Sequence, residues 1–219
     1  MPSRTFIELV QEAYREAGIG GAAPTTVLNQ VGRKADMVRF VQQAYERIQN
    51  MHEDWTFNWI TATFDLTEDV DTYARGLRDV RKEGSYCYDN SVGITSRQWL
   101  TFWEWERFRH LVIPPAAGIP THFTVKPDNV MQYFPVPDRA NLKVVHEYHL
   151  YPQALAADAD EPRIPENYQD VIVWRAVMLF CDRVKDAQRY DTAKGEYDEY
   201  IDAMERKCRP GIMLGGALA

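Results

Sequence analysis

Between Gly118 and Pro165 the chain offers three short runs rich in β-branched and aromatic residues, cut apart by proline and aspartate. The runs fall at about 121–126, 130–135 and 141–151, and each has the length and composition of a strand. Pro135, Pro137 and Asp138 supply turn chemistry between the second and third, because proline presets φ and aspartate bonds its own backbone. The last run ends at Tyr151-Pro152, and Ile164-Pro165 then delivers the chain into a long helical segment. Helical segments also precede the strands, so the helices must find each other across a β-rich insert. That order suits a subunit of an assembly better than it suits an enzyme.

The flanking helices are legible from their periodicity. Phe6, Leu9, Val10, Ala13 and Ala17 recur at helical spacing, Thr5 and Glu8 have capping-box spacing, and Gly18 is a stop signal. Gly20 to Pro24 reads as a linker. A second helix is predicted from Lys34 to His52, with Met37, Val41, Ala44, Ile48 and Met51 along one stripe. Near the C-terminus, Pro165 suits a first helical position, and Val173, Ala176, Val177, Phe180 and Val184 mark a buried stripe. After a break at Asp186-Ala187, Tyr190, Ala193, Tyr197, Ile201, Met204 and Cys208 define a last helix. Gly195 weakens that helix by about 1 kcal/mol relative to alanine, so packing must hold it.

From Phe57 to Leu66 the period changes to the alternation of a strand, Asp69 to Asp71 is a turn, and Tyr73 to Tyr88 has room for one or two strands. The segment 95–111 carries both signals: Trp99, Phe102 and Trp103 fit a helix, whereas Trp103 and Trp105 alternate. A short helix is the expectation. The predicted fold class is therefore α+β: a helical bundle from the N- and C-terminal helices with an inserted antiparallel β-rich region. The expected divisions are 1–54 and 156–208 for the bundle, 55–155 for the insert and 209–219 for a C-terminal tail.

The bulk numbers exclude several functions. With 45% hydrophobic and 26% charged residues the 219-residue chain is globular in composition, and its net charge of −7 argues against tight binding to nucleic acid phosphates. No apolar run reaches the roughly 18 residues of a membrane span, so no membrane role is expected. Met1 to Phe6 lacks a signal-peptide pattern. Cys87, Cys181 and Cys208 are far apart and form neither a disulfide framework nor a zinc motif, which fits a reducing compartment.

The search for chemistry returns little. Nucleotide-binding glycine signatures, zinc-protease spacing and a nucleophile elbow are all missing, and no cofactor or catalytic residue is assigned. His146 and His149 stand three apart on a predicted strand and so point to opposite faces; with His122 they read as histidines on a half-exposed sheet. Asp158, Asp160 and Glu161 lack the spaced ligands of a calcium loop and read as a solvated acidic linker. Glu104 and Glu106 lie among tryptophans, a setting that a carboxylate-based hydrolase could use, although such aromatics are more often core or interface anchors. Arg75, Arg78, Arg81 and Lys82 are the densest basic group and read as a charge-guarded strand edge.

The whole layout resembles the head–tail connector proteins, or adaptors, of tailed bacteriophages, from about Phe6 to Arg209. The resemblance is carried by Trp55 and Phe64-Asp65-Leu66 at the start of the insert, then Gly118 and Pro120 leading into a strand. Tyr133-Phe134-Pro135, Pro137-Asp138, Tyr148 and Tyr151-Pro152 follow, and then Leu155, an acidic loop and Ile164-Pro165. The resemblance implies a structural virion protein of the neck. Its members form rings, typically dodecameric, beneath the portal protein, extend the channel for genomic DNA and give tail or nozzle proteins a surface to bind. The aromatic segment 98–111 and the glycine-rich linker at 18–24 depart from the family pattern and leave open another place in the tail stack, such as a terminator or a nozzle-facing component.

Two sets of contact residues are expected. Trp99, Phe102, Trp103, Trp105 and Phe108 give more aromatic surface than one short segment can bury on its own domain, which marks contacts with other subunits or partners. Ile212, Met213, Leu214 and Leu218 give the C-terminal tail an apolar side, and by the resemblance its partner is the portal.

Overall fold

The computed structural model describes residues 3–74, 78–110 and 116–210. Its helices are α1 (Phe6–Glu16), α2 (Gly32–Gln49), α3 (Trp105–Phe108), α4 (Asp170–Val184) and α5 (Ala187–Cys208). The strands are β1 (Trp59–Asp65), β2 (Thr72–Ala74), β3 (Arg78–Val80), β4 (Tyr86–Asp89), β5 (Gln98–Trp99) and β6 (Thr101–Phe102). They continue with β7 (Ala117–Gly118), β8 (His122–Val125), β9 (Val130–Phe134), β10 (Val136–Pro137) and β11 (Leu142–Leu150). The architecture is α+β, and the chain divides into two compact units, Met1–Asn58 with Pro152–Ala219 and Trp59–Tyr151.

In the helical unit α4 is the hub. Val171, Ile172, Val173, Ala176, Val177, Met178, Phe180 and Cys181 are all buried, too many for one stripe, because α1, α2 and α5 each pack against it. Its partners present single faces: Phe6, Leu9, Val10 and Ala13 from α1, Met37, Val41, Ala44 and Ile48 from α2, and Ala193, Tyr197, Ile201 and Met204 from α5. The expected stripes overran two helix ends. Met51 and Val184 are 44% and 45% exposed, since α2 stops at Gln49 and Lys185 turns α4 off in a left-handed conformation.

Helix α1 begins and ends as its sequence dictates. The Thr5 amide donates to a Glu8 carboxylate oxygen at 2.7 Å, a bond that holds the Glu8 carboxyl below its usual range. At the other end Gly18 takes φ +62°, its N–H reaches Arg15 O at 2.9 Å, and Ile19 N–H reaches Tyr14 O at 3.4 Å, which together make a Schellman motif. A side chain at Gly18 would be strained by that φ and would also collide with the Arg189 guanidinium, which bonds Ala17 O.

The return segment from Pro152 to Gln169 ties the two ends of the sequence together. Gln42 donates to Leu155 O at 2.8 Å, Gln49 exchanges bonds with the backbone of Gln153 at 3.0 and 2.8 Å, and Tyr45 receives the Arg163 amide at 2.9 Å. Asp158 and Asp160 are not a solvated linker. Their carbonyls accept the free amides of Ile7 and Phe6 at the start of α1, at 3.2 and 2.7 Å. The Asp158 carboxylate accepts Val27 N–H at 2.5 Å, and that of Asp160 accepts the amides of Ala156 and Ala157 at 2.6 and 2.8 Å, which lowers its pKa. Sequence composition missed this because every one of these aspartates acts locally or on residues more than a hundred positions away.

The β unit is a pair of sheets. One has the order β1-β11-β4-β5, with β3 also paired to β11, and all its pairings are antiparallel. The other has the order β2-β9-β8-β6, with β6 parallel to β8; β7 and β10 form a small parallel pair. The core between them comprises Leu66, Cys87, Leu100, Phe123, Met131, Tyr133, Leu142 and Val144. The first and last strands of the unit pair over their whole shared length, from Trp59 opposite His149 to Asp65 opposite Lys143, so the chain enters and leaves the insert side by side.

A histidine is among the polar groups buried in this unit. His146 on β11 is fully buried, not half-exposed as expected; its Nε2 lies 2.7 Å from the Tyr133 hydroxyl on β9 and its Nδ1 2.5 Å from Ser85 Oγ. The relay spans both sheets, and the rings of Phe64 and Phe123 pack on the imidazole. Burial holds the His146 pKa down at about 3, so the folded state contains the neutral ring. The unfolded ring takes its proton near pH 6.5, so stability from this site is complete above that pH and drains away as pH falls toward the folded value, by at most about 1.4 kcal/mol per pH unit. His146→Phe is expected to flatten that slope between pH 6.5 and 4. At pH 7 it should cost about 1–3 kcal/mol, because the Ser85 and Tyr133 hydroxyls lose their partner. Urea unfolding at several pH values checks this; an unchanged slope in the variant would contradict it.

Candidate assembly site

The aromatic segment beginning at Arg97 passes from one sheet to the other. Trp99 pairs with Tyr86 at the outer edge of the first sheet, and Phe102 pairs with Phe123 at the edge of the second. Leu100 between them points inward, 5% exposed, and its amide donates to Ser85 O at 2.9 Å. After Phe102 the Trp103 amide bonds Phe123 O at 2.9 Å, and the single turn of α3 packs against β8. The segment is thus strand first and helix after, and two-residue strands are too short to leave a periodic signal.

The five expected contact residues do not share one environment. Phe108 is 0% exposed and is a core residue, so it is unavailable to a partner. Phe102 is half-buried against the insert core, edge-on to Phe123 at 5.3 Å. Trp103 and Trp105 are half-buried, and only Trp99, at 56% exposure, stands out into solvent. Sequence reasoning passed over its exposed neighbours Val92 and Ile94, which alternation and helical spacing had no means to flag.

Each outward aromatic carries a cation. The Arg97 guanidinium lies 5.2 Å from the Trp99 ring, Lys82 Nζ 5.0 Å from Phe102, Arg107 3.9 Å from Trp103, and Lys126 Nζ 5.8 Å from Trp105. Such pairs contribute about 0.5–1 kcal/mol apiece at exposed sites. His122 meets Trp103 edge-on at 4.6 Å, and burial together with the Arg107 charge lowers its pKa. Arginine laid on tryptophan, as at Trp99 and Trp103, is a combination that interfaces favour.

The alternatives fare differently. Glu104 and Glu106 are exposed, and each is ion-paired, with Lys82 and Arg109, both at 2.5 Å, so neither sits in an apolar pocket facing a second carboxylate. Arg81 lies on the Trp59 ring at 3.7 Å and pairs with Glu147, a structural clasp; Arg75 and the side chain of Arg78 lie outside the described residues. Among the described residues no group of three or more histidine, cysteine, aspartate or glutamate side chains could hold a metal ion, and no helix is long and apolar enough to cross a membrane. All three cysteines are free and buried, and burial, with Asp89 adding to it, pushes the Cys87 thiol up to about 12. Among the described residues of the helical unit, one groove of about 340 Å³ lies beside Trp174 and Arg189 and another of about 300 Å³ beside Gln42 and Glu46; neither of these pairs a nucleophile with a base. Ile212, Met213, Leu214 and Leu218 lie outside the described residues.

No curated protein matches this chain. A family model does: that of the SU10 adaptor protein family, over residues 4–212, and so across the helical unit and the insert alike.

Proposed function

The chain belongs to the SU10 adaptor protein family, and we propose that it serves as a head–tail adaptor of a tailed phage, in a ring beneath the portal that extends the DNA channel and presents a surface to the tail. The observation that carries this reading is the family match over both units, joined to a site that is built for contact. The strip from Trp99 to Trp105 joins large aromatic rings to cations. In this reading the ring is dodecameric, the protein resides in the virion neck after assembly in the host cytoplasm, and it has no enzymatic step. The tail bearing Ile212, Met213, Leu214 and Leu218 reaches the portal, while the insert meets neighbouring subunits and tail or nozzle proteins.

The half-buried tryptophans test the contact role. Trp103→Glu together with Trp105→Glu is expected to leave a helical, soluble protein but to stall assembly at filled heads without tails. Tailed particles in normal yield from that variant, with the altered chain inside them, would overturn the reading.

The net charge of −7 sets a second expectation. DNA should pass through the ring without being held, since a chain with this excess of carboxylates gains little from counterion release. Mixed with duplex DNA in 50 mM salt, the purified protein should show no tight complex. A tight complex that weakens steeply as salt rises would contradict this.

A further inference from the structure

Three of the nine strongly exposed large apolar side chains among the described residues fall within eight positions of each other: Val92, Ile94 and Trp99, at 64%, 56% and 56%. They cluster in sequence at the outer edge of the first sheet, where β5 has no further strand beside it among the described residues. Trp99 is braced edge-on by Tyr86 at 5.4 Å, and Arg97 lies over it. Arg97 forms no ion pair among the described residues. A braced tryptophan, an arginine without a carboxylate and two aliphatic neighbours are the ingredients of an interface centre. At two residues β5 is too short to recruit a strand through its backbone, so this edge must bind through side chains.

A surface of opposite character lies on α5. Asp191, Gly195, Asp198 and Asp202 are exposed and spaced i, i+4, i+7, i+11, on the face away from the buried row Ala193, Tyr197, Ile201 and Met204. The three carboxylates form no ion pair among the described residues. Gly195 weakens the helix relative to alanine, and nothing inside the subunit requires it, for a Cβ there would meet no atom within 4 Å. A glycine on an outward helix face lets another surface approach the backbone closely.

We propose that the Trp99 edge of one copy docks on the α5 face of a second copy, with the indole over Gly195 and Arg97 among Asp191, Asp198 and Asp202. The inference rests on the adaptor reading and names the partner of its assembly site. Charge complementarity selects this occupant: Asp89 at the cationic edge is already paired with Arg139, which leaves Arg97 without a carboxylate among the described residues, and Asp191, Asp198 and Asp202 outnumber Lys194, the lysine that lies between the first two. The two surfaces differ, so the contact is head-to-tail, the kind that closes into a ring instead of stopping at a pair.

A photo-crosslinker, p-benzoylphenylalanine in place of Trp99, tests the contact inside assembled particles. Irradiation is expected to give a covalent dimer of this chain on a denaturing gel, with the joined peptide drawn from 187–208. Gly195→Phe should lower the dimer yield by roughly tenfold or more while the free chain keeps its helical circular dichroism. Cross-links to a different protein or to another segment, a full dimer yield in Gly195→Phe, or particles that contain the chain but give no dimer would each overturn the contact and leave the adaptor reading standing. Particles from which the chain is absent would instead overturn that reading, and the contact with it.

Discussion

The burial of α4 on every side is the constraint from which the rest of the structure follows. A helix with Val171, Ile172, Val173, Val177, Met178 and Phe180 all sequestered needs partners around its circumference, and here they come from both ends of the sequence. Bringing α1 and α2 back to α4 requires that the intervening insert start and finish at one place. The pairing of β1 with β11 over seven residues achieves that, since the entering and leaving strands are hydrogen-bonded neighbours. The return segment completes the closure by satisfying the first amides of α1 with the carbonyls of Asp158 and Asp160. Hydrophobic burial supplies the drive and these directional bonds supply the register.

Inside the insert, specificity comes from a buried polar relay. The sheets meet over apolar side chains, which alone leave their relative register loosely set. Ser85, His146 and Tyr133 fix it, because three buried polar groups are satisfied in one arrangement and would be orphaned in others. The constellation resembles a nucleophile and base only on paper. Ser85 and His146 are both 0% exposed, and no substrate reaches them without opening the core.

What was legible in the sequence was periodic or punctuated. The α1 boundaries, the α2 stripe as far as Ile48, the α5 stripe and the strands β8, β9 and β11 were readable from spacing and turn residues. What was hidden depends on distant partners. Alternation could place His146 and His149 on opposite faces, but not foresee that Tyr133 and Ser85 would make a core position tolerable for the first. The acidic loop looked solvated because its partners, Phe6, Ile7 and Val27, are at the other end of the chain. In the aromatic segment, counting rings overstated the surplus: Phe108 goes to the core, Phe102 half follows it, and the exposed apolar surface shifts to Val92, Ile94 and Trp99.

A helical unit closed around α4, an insert with its own core and an edge of aromatics and cations agree with the proposed adaptor role. The most direct measurement is a reconstruction by electron microscopy of the neck of intact particles, with this chain carrying a small density tag at its N-terminus. The account predicts an annulus of tagged density immediately below the portal at the single tail-bearing vertex. Tagged density elsewhere on the particle, or a neck built without this chain, would contradict it.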